Sequence, residues 1–189
     1  MSAEPLSQRR QQILAAAERL LRHYGIAKTT VADIAREAGI GVGSFYLEFA
    51  SKEAVVGELS LQNHRQVLER MRAAAARRGS HATRLRNTLE ERLRGFARLA
   101  DEGDHGRELV ECGCASVREV HRRFCAEEEE LVATLLDGGD HAGEFAVQRA
   151  PVVARIILRL YGSLASTGPT SEDELEATHR LMLRGLLLR

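Results

Sequence analysis

The chain has 189 residues, of which 44% are hydrophobic and 29% charged, and its formal net charge is zero. These values are typical of a folded globular protein and exclude a disordered, strongly charged chain. The sequence has no run of 18 apolar residues and begins without the apolar segment of a secretory signal, so we predict no membrane span and expect a cytoplasmic protein.

The first predicted element is a helix from about Ser7 to His23. Apolar residues recur along it at helical spacing, and Gly25 follows where a helix would end. Arg9 and Arg10 precede the apolar stripe, where they either reach a phosphate or form a solvated pair.

Two short helices joined by a glycine turn come next. Thr30 is an N-cap candidate to which Asp33 can return a hydrogen bond, so the first helix is predicted from Val31 to about Ala38. Gly39 stands where the chain must reverse, a position that favours a residue free to adopt positive φ. The second helix is predicted from Gly41 to Phe49. This order is typical of a helix-turn-helix, a DNA-reading element.

The second of these helices has residues available for contacts outside the core. Phe45 and Phe49, four residues apart, share its buried face. Ser44 is suited to bond a base edge and Val42 to meet a thymine methyl, while the hydroxyl of Tyr46 suits a phosphate. The predicted DNA-binding residues are Lys28, Thr29, Thr30, Gly41, Val42, Ser44, Tyr46, Leu47 and Lys52.

The run from Ala38 to Glu53, AGIGVGSFYLEFASKE, resembles the signature of TetR-family transcriptional repressors, A-G-V-(S/G)-x-(G/x)-(T/S)-(L/F)-Y-x-(H/Y)-F-x-(S/N)-K-E. The match has no gaps, and the first third of the chain follows the family closely. The resemblance implies base-edge contacts by Val42 and Ser44, and phosphate contacts by Thr29, Thr30, Tyr46 and Lys52.

Leu47 and Glu48 depart from the family pattern, in which Arg or His is frequent at these positions. Residues 1–60 carry seven basic and seven acidic groups, so this part of the chain is not a general polycation. DNA binding would depend on local placement of single cations and on doubling through a dimer. The alternative, from a different class, is a helical homodimeric interaction protein on the same scaffold that does not bind an operator.

The middle of the chain is predicted to be helical. Ser51 caps a long helix that ends near Arg77, and Gly79–Ser80 marks a break. A helix from about His81 to Ala100 and a loop over residues 101–106 follow. The next helical stretch is predicted from Arg107 to Leu136, interrupted near Gly113 and ended by the Gly138–Gly139 pair.

Two further helices complete the chain. One is predicted from Val147 to Ala165 with Pro151 in its first turn, and the other begins at Ser171 with Glu174 completing a capping box. The sequence thus predicts an all-α fold. Residues 1–50 form a three-helix DNA-binding domain, with the helix-turn-helix at about 30–49. Residues 51–189 form a helical effector-binding and dimerisation domain, with a connecting helix at 51–78 and dimerisation helices at 147–188.

The last two helices carry more apolar surface than a small domain covers by itself. A two-fold four-helix interface is the economical solution, and the family resemblance, which includes the turn at Gly143-Glu-Phe, implies the same. It would place two DNA-reading helices about 34–36 Å apart on a pseudo-palindrome. The predicted interface residues are Val153, Ile157, Leu160, Leu164, Leu175, Met182 and Leu186.

A ligand-responsive repressor also needs an effector site, which we expect between residues 81 and 165. A small apolar or amphipathic effector would favour a state with wrongly spaced DNA-binding heads, and the long connecting helix would transmit the difference. The predicted lining residues are Arg92, Leu93, Phe96, Glu111, Arg118, His121, Phe124 and Tyr161. For each of them, core packing or a surface ion pair is the alternative.

Cys112, Cys114 and Cys125, with His121, offer soft metal ligands. Residues two apart in a helix point about 200° from each other, so Cys112 and Cys114 share one metal only if Gly113 breaks the helix. We therefore interpret the thiols as buried and inert, with a thiol- or metal-responsive regulator as the alternative. No cofactor or metal is predicted. No enzyme is predicted either, because no nucleophile and base stand at a recognisable spacing.

Overall fold

The computed structural model describes residues 7–106, 108–111, 113–166 and 171–186, giving the backbone alone at 110, 111, 165 and 166. Every regular element in these ranges is a helix, which confirms the all-α fold class. In chain order the helices are α1 (Gln8–Tyr24), α2 (Val31–Glu37), α3 (Val42–Glu48), α4 (Lys52–Ala75), α5 (His81–Asp101), α6 (Glu108–Glu111), α7 (Ala115–His141), α8 (Ala150–Ser166) and α9 (Glu172–Leu186).

Local capping bonds explain where several helices begin. The hydroxyl of Ser51 accepts the amide of Ala54 at 3.2 Å at the start of α4. Ser171 and Glu174 bond each other's backbone amides at 3.1 and 3.0 Å at the start of α9, which confirms the predicted capping box. The interruption predicted near Gly113 is also confirmed, since this residue lies between α6 and α7.

The prediction that a helix ends at the Gly138–Gly139 pair is wrong. Helix α7 continues through both glycines to His141, and the chain turns at Gly143, whose φ is 71°. A Cβ built on Gly139 would lie 2.2 Å from the ring of Phe145. Glycine is therefore needed inside the helix for close packing rather than for termination.

The next helix begins three residues later than predicted. The amide of Val147 donates to the carboxylate of Asp140 at 2.9 Å, and α8 begins at Ala150. Pro151 nevertheless lies in the first turn, where its missing N–H leaves no helical bond unmade.

The described residues divide into two compact units. The head unit lies within Met1–His64 and Leu99–Arg122, and the body unit within Arg65–Arg98 and Arg123–Arg189. Helices α4, α5 and α7 each contribute residues to both units. The predicted domain boundary at residue 50 does not coincide with the division between the compact units, and it stays a prediction.

The head unit has its own hydrophobic core. Helices α1, α2 and α3 supply most of it, as predicted for a three-helix DNA-binding domain, and the start of α4 adds three residues. Leu109 of α6 and Val117 of α7 complete it, both less than 2% exposed. A segment that begins about 60 residues after the helix-turn-helix is therefore part of the same core.

The body unit has a second core built from the last turn of α4 and from α5, α7, α8 and α9. Leu85, Leu89, Leu136 and Tyr161 are fully buried within it. In the described part of the chain, none of the helices has both the length and the apolar character needed to cross a membrane.

Candidate nucleic-acid interface

The start of α2 is fixed by a reciprocal pair of hydrogen bonds. The hydroxyl of Thr30 accepts the amide of Asp33 at 3.2 Å, and the carboxylate of Asp33 accepts the amide of Thr30 at 3.1 Å. The Thr30 hydroxyl, which also donates to this carboxylate, and the Thr30 amide hold the pKa of Asp33 below its ordinary value. The predicted capping box is confirmed.

A tight turn then sets α3 against α2. Gly39 has a φ of 68°, which an L side chain rarely adopts, and the amide of Ile40 donates to the carbonyl of Ala35 at 2.9 Å. Phe45 and Phe49 are 0% and 3% exposed, with ring centroids 6.1 Å apart. These two rings anchor α3 in the head unit, so its opposite side faces solvent.

The solvent side of α3 is largely apolar. Val42, Tyr46 and Leu47 are 44%, 55% and 79% exposed. A Cβ built on Gly43 would have no neighbour within 4 Å, so the backbone is open there. Gly41 precedes the helix as an N-cap without a side-chain bond. We call Val42, Gly43, Tyr46 and Leu47 together the α3 face.

Two of the predicted contact residues are less accessible than expected. Thr29 is 2% exposed, and its hydroxyl donates to the carbonyl of Gly25 at 2.8 Å. The prediction of a phosphate contact by this hydroxyl is therefore corrected, because it is buried and already bonded. Ser44 is half-buried at the edge of the α3 face, whereas Thr30 and Lys28 are exposed.

Lys52 holds the loop that leads into α2. Its Nζ donates to the carbonyl of Ile26 at 2.6 Å and to that of Thr29 at 2.8 Å. An ammonium group has three N–H donors, so one remains for a phosphate. Lys52 thus has a structural role that the sequence did not predict, beside the phosphate contact that it did predict.

A groove of about 350 Å³ adjoins the α3 face. The hydroxyl groups of Ser51 and Tyr46 and the charge of Lys52 border it, and these are donors that backbone phosphates accept, whereas the Thr30 hydroxyl already donates to Asp33. The lining residues are Ala27, Thr29, Thr30, Val31, Tyr46, Ala50, Ser51, Lys52 and Glu53. We call it the polar groove.

Arg10 is used inside the head unit. Its Nη1 donates to the carbonyl of Glu48 at 2.7 Å, and its guanidinium lies 3.9 Å from the ring centroid of Phe49. The carboxylate of Glu48 in turn accepts the hydroxyl of Ser7 at 3.1 Å. Arg10 therefore fits neither predicted role, and Arg9 remains exposed.

The segment between α5 and α7 also holds the loop before α2. Glu108 Oε2 accepts the amide of Ile26 at 2.8 Å, and Oε1 lies 2.6 Å from Nδ1 of His105. The Ile26 amide and then His105 hold the pKa of Glu108 below its ordinary value. The amide of His105 donates to the carbonyl of Arg22 at 3.0 Å. Sequence reasoning missed these contacts because no local pattern pairs residue 108 with residue 26.

The residues predicted to line an effector pocket fall into separate groups. In the body unit Arg92 and Glu128 form a buried ion pair, with contacts of 2.5 and 3.2 Å. The guanidinium of Arg92 lies 5.3 Å from the ring of Phe96, which meets Phe124 edge to face at 5.4 Å. Leu93 packs against the body core.

Tyr161 lies in the body core beside a second buried polar group. Tyr161 and His179 are 0% and 1% exposed, with ring centroids 5.6 Å apart. Among the described residues, the Tyr161 hydroxyl and both ring nitrogens of His179 have no hydrogen-bond partner, and Glu90 Oε1 lies 3.8 Å from His179 Nδ1. Burial raises the pKa of Tyr161 and lowers the pKa of His179.

Arg118 and His121 belong to the head unit and are exposed. Arg118 donates to the carbonyl of Gly113 at 2.8 Å, and His121 Nδ1 lies 3.5 Å from Nε2 of the buried His64. The side chain of Glu111 lies outside the described residues. Arg118 and His121 are predicted as polar contacts of the effector, and because both are exposed in the head unit, this role stays a prediction.

Two of the three cysteines can be located. Cys114 and Cys125 are half-buried and form no disulfide among the described residues, and Cys112 lies outside these residues. Burial raises the pKa of Cys125, which lowers its thiolate fraction at neutral pH. Cys114 borders an apolar cleft of about 380 Å³ in the head unit. The described residues include no cluster of three His, Cys, Asp or Glu placed to bind a metal.

The residues predicted for the dimer interface also have contacts within one protomer, and the interface stays a prediction. Ile157, Met182 and Leu186 are 5%, 8% and 7% exposed and belong to the body core. Val153 and Leu175 pack against the same core. These side chains are therefore used within one protomer, because the inner edge of each helical stripe faces the rest of the body unit.

On α8, each exposed apolar residue lies one position before a residue that packs in or against the body core. Val152, Ile156 and Leu160 follow each other at four-residue spacing on α8 and are 44%, 61% and 44% exposed. Leu181 on α9 is 74% exposed, and Leu164 is half-buried. We call Val152, Ile156 and Leu160 the α8 stripe. Of the predicted interface residues, Leu160 belongs to it.

The sequence of the helix-turn-helix region matches known proteins. The family model described as bacterial regulatory proteins, tetR family, matches residues 13–59. The transcriptional repressor KstR2 of Mycobacterium tuberculosis is 46% identical over 57 residues, and the transcriptional regulator TtgR of Pseudomonas putida is 43% identical over 56 residues. These matches cover 30% of this chain, and 28% and 27% of the two relatives. The chain thus spans little more than a quarter of their length.

The fold as a whole also has solved counterparts. The crystal structure of a transcriptional regulator of the TetR/AcrR family from Thermobifida fusca is 28% identical in sequence, with a TM-score of 0.77. That match covers 95% of this chain and 98% of the other. The similarity therefore extends beyond the helix-turn-helix to the helices that follow it.

Proposed function

Since the chain belongs, through its N-terminal helices, to the TetR family of bacterial regulatory proteins, we propose that it is a ligand-responsive repressor that binds a palindromic operator as a homodimer. It would act on chromosomal DNA in the cytoplasm, without a catalytic step of its own. The observation that carries the proposal is the exposed α3 face beside the polar groove.

The polar groove suits a backbone phosphate. Tyr46 is 55% exposed and stands on a helix held by two buried phenylalanines, so its hydroxyl has a defined position. Lys52 adds a positive charge that is already held by two carbonyl groups. Phosphate contacts of this kind set the register of a protein on DNA and leave sequence reading to the α3 face.

Two arguments favour a dimer, one from the length of a specific DNA site and one from exposed apolar side chains of the protein. A single short helix reads few base pairs, so a second copy one helical turn away is needed for a specific site. The α8 stripe and Leu181 offer exposed apolar side chains on the two helices that the sequence assigns to the interface. Pairing of these helices about a two-fold axis would bury them.

The proposed effector is a small apolar or amphipathic molecule bound in the body unit. The body core is mostly apolar, yet it contains the Arg92–Glu128 ion pair and the Tyr161 and His179 side chains. Helix α4 contributes to both units, and this continuity supports its role in carrying the effect of binding to the head unit. The effector would bind more tightly to the state that cannot span two half-sites.

Selection of genomic fragments with purified full-length protein, followed by footprinting at a fixed salt concentration, tests the proposal. We expect a protected palindrome. Tyr46→Phe should weaken operator binding at least about tenfold, since a hydrogen bond to a charged group contributes about 1.5–3 kcal/mol. Tyr24→Phe is the matched control, because Tyr24 is 51% exposed but does not line the polar groove.

The second candidate function is a helical interaction protein that does not bind an operator. The exposure of Leu47 favours it, since an apolar side chain that is 79% exposed also suits a protein partner. A folded dimer that enriches no DNA fragment at low salt would support this function and contradict the repressor. Equal affinity of Tyr46→Phe and the wild type would contradict the assigned phosphate contact.

A further inference from the structure

The α3 face carries neither a side-chain amide nor a cation. Its exposed side chains are those of Val42, Tyr46 and Leu47, and the one charged residue of α3 is Glu48. We propose, on the basis of the operator binding proposed above, that this protein reads its operator mainly through thymine methyl groups, which Val42 and Leu47 contact in the major groove.

The geometry of α3 places Leu47 opposite the buried side, while Val42 is 44% exposed at the start of the helix. Phe45 and Phe49 define the buried side, and Gly43 and Leu47 lie farthest from it because residues four apart share one side of a helix. Gly43 has no side chain, and a Cβ built on it would have no atom within 4 Å, so the backbone is open there and allows close approach to the base edges.

The chemistry of the bases then limits what the α3 face can recognise. Guanine is read through paired donors from Arg or Lys and adenine through the amides of Asn or Gln, none of which occurs in α3. Cytosine is read by a carboxylate, but the Glu48 carboxylate is half-buried and accepts the Ser7 hydroxyl. The thymine methyl is the base feature that an aliphatic side chain contacts.

The hydroxyl groups of Ser44 and Tyr46 lie near the α3 face, but neither accounts for base recognition. Ser44 is half-buried at its edge, and its single hydroxyl suits several bases, so it discriminates weakly. The hydroxyl of Tyr46 borders the polar groove and suits a phosphate. Aliphatic contact with methyl groups therefore carries the discrimination, and the selected half-sites should contain thymine opposite Val42 and Leu47.

Replacement of thymine by deoxyuridine tests this inference, because it removes the methyl group and keeps every hydrogen-bonding group. A duplex selected from random sequence with the full-length protein is synthesised with each thymine of a half-site replaced in turn, and the dissociation constant is measured at one salt concentration. We expect at least one replacement in each half-site to weaken binding about fourfold, the effect of about one buried methyl group.

Leu47→Ala and Val42→Ala connect the effect to these residues. Both side chains are exposed, so the thermal unfolding midpoint should not change, and each variant should lose the penalty for one particular deoxyuridine. Wild-type binding that is unchanged by every replacement, or a penalty that both variants retain, would overturn the inference while operator binding stands. If no duplex is selected, or if Leu47→Ala instead abolishes self-association, operator reading by the α3 face is wrong and the inference fails with it.

Discussion

The carboxylate of Glu108 accepts a hydrogen bond of 2.8 Å from the backbone amide of Ile26, a residue 82 positions earlier in the chain. Lys52 donates to the carbonyl of the same residue at 2.6 Å. One charged side chain from α6 and one from α4 thus hold both backbone polar groups of a single residue in the loop before α2. The position of the helix-turn-helix therefore depends on residues outside it.

Glu108→Gln should lower the free energy of unfolding at neutral pH by about 0.5–1 kcal/mol, because a charged acceptor becomes neutral at a site that is 40% exposed to screening by water. The pKa of Glu108 is lowered from 4.5 by folding, so the carboxylate stabilises the protein above that pH and stops doing so as the pH falls through the lowered value. Urea titrations should show a difference in unfolding free energy between the wild type and Glu108→Gln at pH 7, and this difference should be smaller at about pH 3. Glu69→Gln, an exposed change on α4, should have no such effect.

Lys52→Met should reduce both stability and DNA affinity. Loss of two hydrogen bonds from a charged donor should cost about 1–2 kcal/mol of unfolding free energy. Loss of one phosphate contact should also reduce the slope of log affinity against log salt concentration by about 0.9. Lys28→Met, at an exposed lysine, should leave stability unchanged. An unchanged salt slope for Lys52→Met would contradict the phosphate contact and leave Lys52 only its hydrogen bonds to the loop before α2.

Ile156 and Ile157 are neighbours with opposite environments, 61% and 5% exposed. Ile157→Ala should cost about 2–5 kcal/mol of unfolding free energy, because it leaves a cavity in the body core. Ile156→Ala should leave the folded protomer intact and raise the dimer dissociation constant, measured by sedimentation equilibrium. A dimer that tolerates Ile156→Ala and Leu160→Ala together would exclude the α8 stripe as the interface.

Glu128→Leu should destabilise the body unit by about 3–5 kcal/mol, because it leaves Arg92 charged and buried without its partner. The double variant Arg92→Met/Glu128→Leu should recover most of this loss, since apolar side chains of similar size need no partner. Denaturant titrations of both variants and the wild type measure the coupling. If the double variant is as unstable as Glu128→Leu, the ion pair contributes more than mutual charge compensation.

His179 should make stability depend on pH just below neutrality. Burial, and then Arg86, lower its pKa in the folded protein from 6.5, although Glu90 and Glu176 act in the opposite direction. Below pH 6.5 the unfolded chain therefore binds a proton that the folded protein does not, so stability should fall as the pH decreases toward 5. His179→Leu should flatten this dependence in thermal unfolding scans. His141→Gln, at an exposed histidine, should keep the wild-type profile.

The sequence by itself determined the features whose partners lie within one helical turn. The capping boxes at Thr30–Asp33 and Ser171–Glu174 were predictable because three-residue spacing brings each side chain to the other's amide. Gly39 was predictable because the turn requires a positive φ. The dense motif in the helix-turn-helix region identified the family, and the comparison with known proteins bears this out.

Only the tertiary structure decided which side of each element faces inward. Ile156 and Ile157 are indistinguishable by composition, because an apolar stripe on a helix is wide enough to serve both a core and an outer surface. Gly138 and Gly139 lie within α7, where the rings of His81 and Phe145 approach too closely for a Cβ. The burial of Thr29 and the hydrogen bond from Ile26 to Glu108 are likewise tertiary features. Such contacts join residues far apart in the sequence, and they depend on how the helices cross, which no local pattern records.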